Sequence, residues 1–154
     1  TDVCVGIDDF ALRLMGPVDG FKLPLVGHEV QQGQTGFKAQ RGADEIALQM
    51  PVSGTVSAIN LAAREKSNLV SEDPYASGWL LKLQPHNLRH DLKFLTIGSE
   101  SVDWLNREIY RLNREIESID GRANDANAGG GSNAAALEPL IGWEKPGRLF
   151  LHTI

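Results

Sequence analysis

The pattern Pro-x-x-Gly occurs twice in the first half of the chain, as Pro24-Leu25-Val26-Gly27 and Pro51-Val52-Ser53-Gly54. Each copy follows a strand-like run and precedes another. Proline cannot donate to a strand ladder, and glycine reaches backbone angles closed to other residues, so each copy marks a strand corner. Two matching corners suggest two similar halves wrapped into one barrel, although so short a repeat also arises by chance. The strand-like runs are Val3–Gly6, Val18–Leu23, Glu29–Gln31, Thr35–Ala39, Glu45–Met50, Thr55–Asn60 and Trp79–Gln84. Turn signals at Gly20, Gly33 and Gly42 break up the remainder, and Asp8 or Asp9 can cap a short helix through Met15. This spacing predicts a compact barrel or sandwich of short strands.

Residues 86–121 have a different period. Apolar residues fall at Val102, Leu105, Ile109, Leu112, Ile116 and Ile119, in alternating steps of three and four, with Ser99 or Ser101 as a cap and Gly121 as a stop. The stripe predicts a helix that buries one face, either on the barrel or against a second copy of the chain. Residues 122–136 are a low-complexity linker of Ala, Asn and Gly that cannot offset its ordering entropy. Residues 137–154 are apolar again. In Gly147–Ile154, Leu149, Leu151 and Thr153 alternate with Phe150, His152 and Ile154 as a strand would. The expected organisation is a domain over 1–98, an amphipathic helix over 99–121, a flexible linker over 122–136 and an apolar tail over 137–154.

Charge and composition exclude some functions. The chain has 154 residues, 42% of them hydrophobic and 23% charged, enough for one core without staples. The net charge of −5 and the lack of a basic stripe argue against nucleic acid as a partner. Apolar runs are only a few residues long, so no membrane span is expected. Cys4 is the only cysteine, which rules out an intramolecular disulfide and suits the reducing cytoplasm. No secretory signal is visible, and the start at Thr1 rather than Met leaves room for a missing upstream segment.

Four segments in order resemble the glycine cleavage H-protein family. They are Val5-Gly6-Ile7-Asp8-Asp9-Phe10-Ala11 with Met15-Gly16; Leu23–Gly33; Pro51-Val52-Ser53-Gly54-Thr55-Val56 with Ile59-Asn60; and Leu69–Leu80, which contains Asp73-Pro74-Tyr75-Ala76-Ser77-Gly78-Trp79. The last is the most specific. The resemblance covers roughly residues 3–85 and implies a mainly β, barrel-sandwich hybrid of the lipoyl and biotinyl type, here with a C-terminal helical extension. It also implies a carrier: lipoate attached to a lysine at a hairpin tip and passed between enzyme partners. Such proteins carry strand residues ahead of the segment matching Val3–Gly6, so the tail 147–154 could supply a missing edge strand.

The attachment lysine is where the chain departs from the family. It lies eight residues before the proline of the corner, and counting back from Pro51 reaches Ala43. The family's Glu-Ser-Val-Lys-Ala-Ala is here Gln40-Arg41-Gly42-Ala43-Asp44-Glu45. Since the neighbours differ too, this is not one lysine replaced in an otherwise intact motif. Alanine has no nucleophilic nitrogen, so no lipoyl amide can form there. The expectation is a non-catalytic H-like protein with no cofactor, which binds a protein partner, scaffolds or regulates. The alternative is an active lipoyl carrier modified at an atypical lysine such as Lys38, five positions upstream; bringing Lys38 to the tip would slip the strand by an odd number and invert its faces.

Other residues lead to simpler readings. His86 and His90, at i and i+4 beside Asp91, could share a helix face as metal ligands do, but nothing completes a ligand set and solvated histidines are the expectation. Cys4 between Val3 and Val5 reads as a buried, inert thiol. Tyr75 and Trp79 read as packing residues, and Glu72-Asp73 as a solvated acidic turn. No catalytic triad, phosphate loop or paired-carboxylate motif appears, so no catalytic or metal residues are assigned.

Overall fold

A computed structural model describes residues 1–124, and the side chains of residues 1–118. Most of the linker and the apolar tail, with its expected edge strand, lie outside the described residues. Thr1–Leu95 make one compact unit, and a second begins at Thr96.

Among the described residues, seven strands build the first unit: β1 (Val3–Val5), β2 (Gly20–Lys22), β3 (Glu29–Val30), β4 (Thr35–Arg41), β5 (Asp44–Gln49), β6 (Gly54–Ile59) and β7 (Leu81–Pro85). They form two antiparallel sheets, one in the order β1-β7-β6-β3 and the other β2-β4-β5. The sheets do not close into a continuous barrel; they share one core. Alternation decides which side chains enter it. On β4, Phe37 and Ala39 are buried while Lys38 and Gln40 face out; on β5, Ile46 and Leu48 are buried. Leu81 and Leu83 of β7 are fully enclosed, as is Met15 at the end of α1 (Asp9–Met15). Asp8 caps α1 by accepting the Ala11 N–H at 2.7 Å.

The two Pro-x-x-Gly corners turn out to need their glycines for different reasons. Gly27 has φ of 86°, a left-handed angle that glycine adopts without strain. Gly54 has no such angle. A Cβ there would run into the backbone of Gln84 and Pro85 on β7, so the requirement is close approach. The second corner is also tied down. Gln32 Nε2 donates to Pro51 O at 2.7 Å and to Asp91 O at 3.0 Å, and Ser53 N–H donates to Asp91 Oδ2 at 2.6 Å.

Two short helices, α2 (Leu61–Glu65) and α3 (Asn68–Glu72), fill the span between β6 and β7. Asn60, nearly buried at 8% exposure, organises this crossing. Its Oδ1 accepts the Ala63 N–H, and its Nδ2 donates to Ser77 O at 2.8 Å and Trp79 O at 2.7 Å. Gly78 sits where a Cβ would come within 2.6 Å of Asp73 O and 2.9 Å of Val70 Cα. Asn60 and Gly78 together fold the Asp73–Trp79 loop onto the body.

After β7 come α4 (Leu88–Asp91) and a 3-10 turn over Leu92–Phe94. The second unit contributes α5 (Ser99–Asn124), 26 residues long. It passes through Gly121, the expected stop, because a glycine ends a helix only where it turns left-handed and otherwise costs about 1 kcal/mol. The apolar stripe is not fully covered within the chain. Val102 is 58% and Ile109 40% exposed, while Leu105, Leu112 and Ile116 are half-buried. No helix among the described residues is long and apolar enough to cross a membrane.

Candidate functional site

The hairpin of β4 and β5 closes with Arg41 opposite Asp44, leaving Gly42 and Ala43 as its two-residue tip. Such tight tips need positive φ, which Gly42 supplies at 57°. Both tip residues are exposed. The hairpin is anchored from the side of α1 and β2: Asp19 Oδ2 accepts the Gly42 N–H at 2.6 Å, Asp19 N–H donates to Gln40 O at 2.8 Å, and Arg41 Nη1 donates to Met15 O at 3.3 Å. The tip is therefore rigidly presented, and its outermost side chain is a methyl group.

Lys38 lies four residues back from Gly42, about 13 Å down the strand at the usual rise. Its side chain is on the outer face with Lys22 of β2, the residue it pairs with across the sheet. Both ammonium groups donate to Glu45, Lys38 Nζ at 3.0 Å to Oε2 and Lys22 Nζ to Oε1, and Gln40 Nε2 adds a bond to Oε1 at 3.1 Å. The hydrogen bonds from Lys22 and then Lys38 hold the Glu45 carboxyl below its usual range. The amine of Lys38 is thus engaged in a mid-strand ion-pair cluster, away from the tip.

The histidine pair is not a shared helix face. His86 follows β7 and sits before α4, with Nε2 3.2 Å from Thr55 Oγ1. His90 is within α4, where Nδ1 lies 3.2 Å from Asp91 Oδ1 and the ring meets Phe94 with centroids 5.2 Å apart. Each histidine has its own local partner because His86 lies in the turn after β7 and α4 begins only at Leu88. Among the described residues, no group of three or more His, Cys, Asp or Glu is placed to hold a metal ion. Asp91, at 4% exposure, is the more informative residue. The Ser53 N–H, with a smaller contribution from His90, keeps its carboxyl below the ordinary aspartate range, so it serves as a fixed acceptor under the second corner.

Three further expectations are corrected. Cys4 is exposed on the outer side of β1, because the inward positions of that short strand belong to its neighbours. Tyr75 is 76% exposed, and its hydroxyl donates to Asp9 Oδ1 at 2.5 Å, which lowers the Asp9 carboxyl and raises the phenol. Asp73 is no idle solvated acid: it accepts from the Ser77 hydroxyl, the Ser77 N–H at 2.9 Å and the Ala76 N–H at 3.2 Å, and the Ser77 hydroxyl is the main reason its carboxyl is lowered. A turn-forming Asp followed by Ser at the fourth position was the signal available for it. Trp79 is half-buried, with Lys82 Nζ 4.9 Å above its ring. Cys4, Asp8, Pro74, Tyr75 and Trp79 border an open cleft of about 330 Å³.

Comparison with known proteins gives consistent matches. Residues 1–108 fit the glycine cleavage H-protein family profile. A probable glycine cleavage system H protein of Thermococcus kodakarensis is 35% identical over 103 residues, which span 67% of this chain and 76% of that protein. The glycine cleavage system H protein of Legionella pneumophila strain Corby is 39% identical over 84 residues, 54% of this chain and 67% of its own. Among solved structures, a glycine cleavage system H protein from Mycobacterium marinum superposes with a TM-score of 0.54 at 31% identity, covering 56% of this chain and 68% of that one.

Proposed function

The chain belongs to the glycine cleavage H-protein family, and from that premise we propose that it is an armless member, a non-catalytic module that binds, scaffolds or regulates protein partners without carrying lipoate. One observation carries the reading. The anchored, exposed hairpin tip reached by the eight-residue spacing from Pro51 ends in Ala43, which has no nitrogen to acylate. The rest of the body keeps its internal ties: hydrogen bonds hold both corners, the Asn60 crossing and the Asp73–Trp79 loop. A body preserved without its arm retains recognition surfaces and loses cargo. Partners of a glycine-cleavage-type system are the first class to consider, because the relatives are named for that system.

The lysine nearest the tip in sequence, Lys38, lies mid-strand with its ammonium on Glu45 at 3.0 Å, and is not presented on a turn as residue 43 is. Incubation of the purified chain with ATP, lipoate and a lipoate–protein ligase should therefore leave its intact mass unchanged, while a relative carrying the tip lysine gains one lipoyl group in the same reaction. Modification at Lys38 or any other residue would replace this reading with that of an active carrier.

A further inference from the structure

We propose that α4 and the 3-10 turn Leu92–Phe94 form a docking knob for an acidic protein surface with an apolar pocket. The inference rests on the reading of the chain as a partner-binding module and names the chemistry of one partner. Asp91 is the inward residue of the segment, at 4% exposure. Residues two positions either side of an inward helical residue point nearly the opposite way, which turns Arg89 and Lys93 outwards. Both are exposed, and neither has an ion-pair partner among the described residues. Phe94 stands beside them, 69% exposed, its ring centroid 5.2 Å from that of His90. Leu92 adds further apolar surface.

Charge selects the partner. The chain carries a net charge of −5, yet from Pro74 to Ser99 its only carboxylate is Asp91, which is turned in and held by the Ser53 N–H at 2.6 Å. The knob is thus a local positive patch on a negative molecule. Carboxylates of a partner that reach Arg89 and Lys93 meet unneutralised cations, and the Arg89 guanidinium can hold one of them through two parallel hydrogen bonds. An extended polyanion, such as nucleic acid or an anionic bilayer, also meets the acidic remainder of the chain, and two cations do not outweigh it. An aromatic ring flanked by arginine is the composition of an interface centre, where the ring fills a pocket and water is excluded. The knob is presented in one geometry: besides the Ser53 bond, Gln32 Nε2 donates to Asp91 O at 3.0 Å and Asn87 Oδ1 accepts the His90 N–H at 3.1 Å. Binding therefore has little ordering left to impose on it.

Photo-crosslinking in the organism that makes the protein is the test, with p-benzoylphenylalanine in place of Phe94 in the full chain. Irradiation should capture one protein, and mass spectrometry should place the link in a segment where Asp or Glu flanks apolar residues. Reversing both cations, Arg89→Glu with Lys93→Glu, should cut that capture at least tenfold. The same reversal at the exposed pair beside α2, Arg64→Glu with Lys66→Glu, should leave it unchanged. Circular dichroism of each variant checks that the body stays folded. Capture that survives the reversal in the folded protein, links to a segment without carboxylates, or capture of lipid, nucleic acid or nothing overturns the proposal. The two readings fail separately. An unlipoylated chain that captures nothing removes this docking surface alone, whereas a lipoyl group on the chain removes the armless reading whatever residue 94 captures.

Discussion

Asn60→Asp should cost the first unit about 3–5 kcal/mol, the usual cost of leaving a buried charge uncompensated. Asn60 Nδ2 donates to two carbonyl oxygens, Ser77 O at 2.8 Å and Trp79 O at 2.7 Å, from a side chain that is nearly buried. A carboxylate in the same place has no proton to give and sets a negative oxygen against both carbonyls. Asn60→Ala should cost less, about 3 kcal/mol, because it removes three bonds and leaves their partners unsatisfied without adding charge. Against a total stability of about 5–15 kcal/mol for a domain of this size, that is a large fraction of the whole. Urea denaturation of the variants reads both losses. Asn68→Ala serves as control, since Asn68 bonds only to Glu72 at the surface and its removal should change stability by about 0.5 kcal/mol or less. A loss below about 1 kcal/mol for Asn60→Asp would mean that the crossing is not held as described.

Ala43→Lys should convert the chain from a protein that a lipoate ligase ignores into one that it modifies once. The tip geometry is already in place: Gly42 supplies the turn, Asp19 anchors it and residue 43 is exposed. What the tip lacks is a nucleophile, and its neighbours Gln40, Arg41 and Gly42 also differ from the family's residues. Because Lys38 remains paired with Glu45, the added lipoyl group should map to residue 43 alone, and Lys38→Arg in the same background should change nothing. If Ala43→Lys is not modified, the hairpin lacks more than its lysine. Modification at Lys38 in either form would show that the ligase accepts a lysine in mid-strand.

The residues that could be read directly from the sequence are those whose requirement is local. The runs Thr35–Ala39 and Glu45–Met50 were legible as the strands β4 and β5, and capping chemistry put α1 behind Asp8 or Asp9, of which Asp8 is the cap. The corners were legible as corners, but not why: only the packed structure distinguishes Gly27, which needs its backbone angle, from Gly54, which needs an absent Cβ beside β7. Two helices escaped because α2 and α3 are five residues each, too short for any periodic signal. The histidines are exposed, as expected, and do not share a helix face, because i, i+4 spacing means a shared face only inside one helix and α4 begins at Leu88, between them. Cys4 shows the converse failure: in a three-residue strand one slip of parity moves a side chain from core to surface.

The candidate site divides the same way. Its position followed from the count back from Pro51, and its two-residue turn from Gly42-Ala43. Its support did not, because Asp19 and Met15 reach the hairpin across 23 and 26 residues of sequence and Lys22 reaches Glu45 across 23, and long-range contacts of that kind leave no local pattern.

If this body carries no lipoyl arm, the protein purified from the organism that makes it should have the intact mass of the unmodified polypeptide, with peptides covering Lys38 and Ala43 at their plain values. An added lipoyl group, mapped to Lys38 or to any other residue, would contradict it.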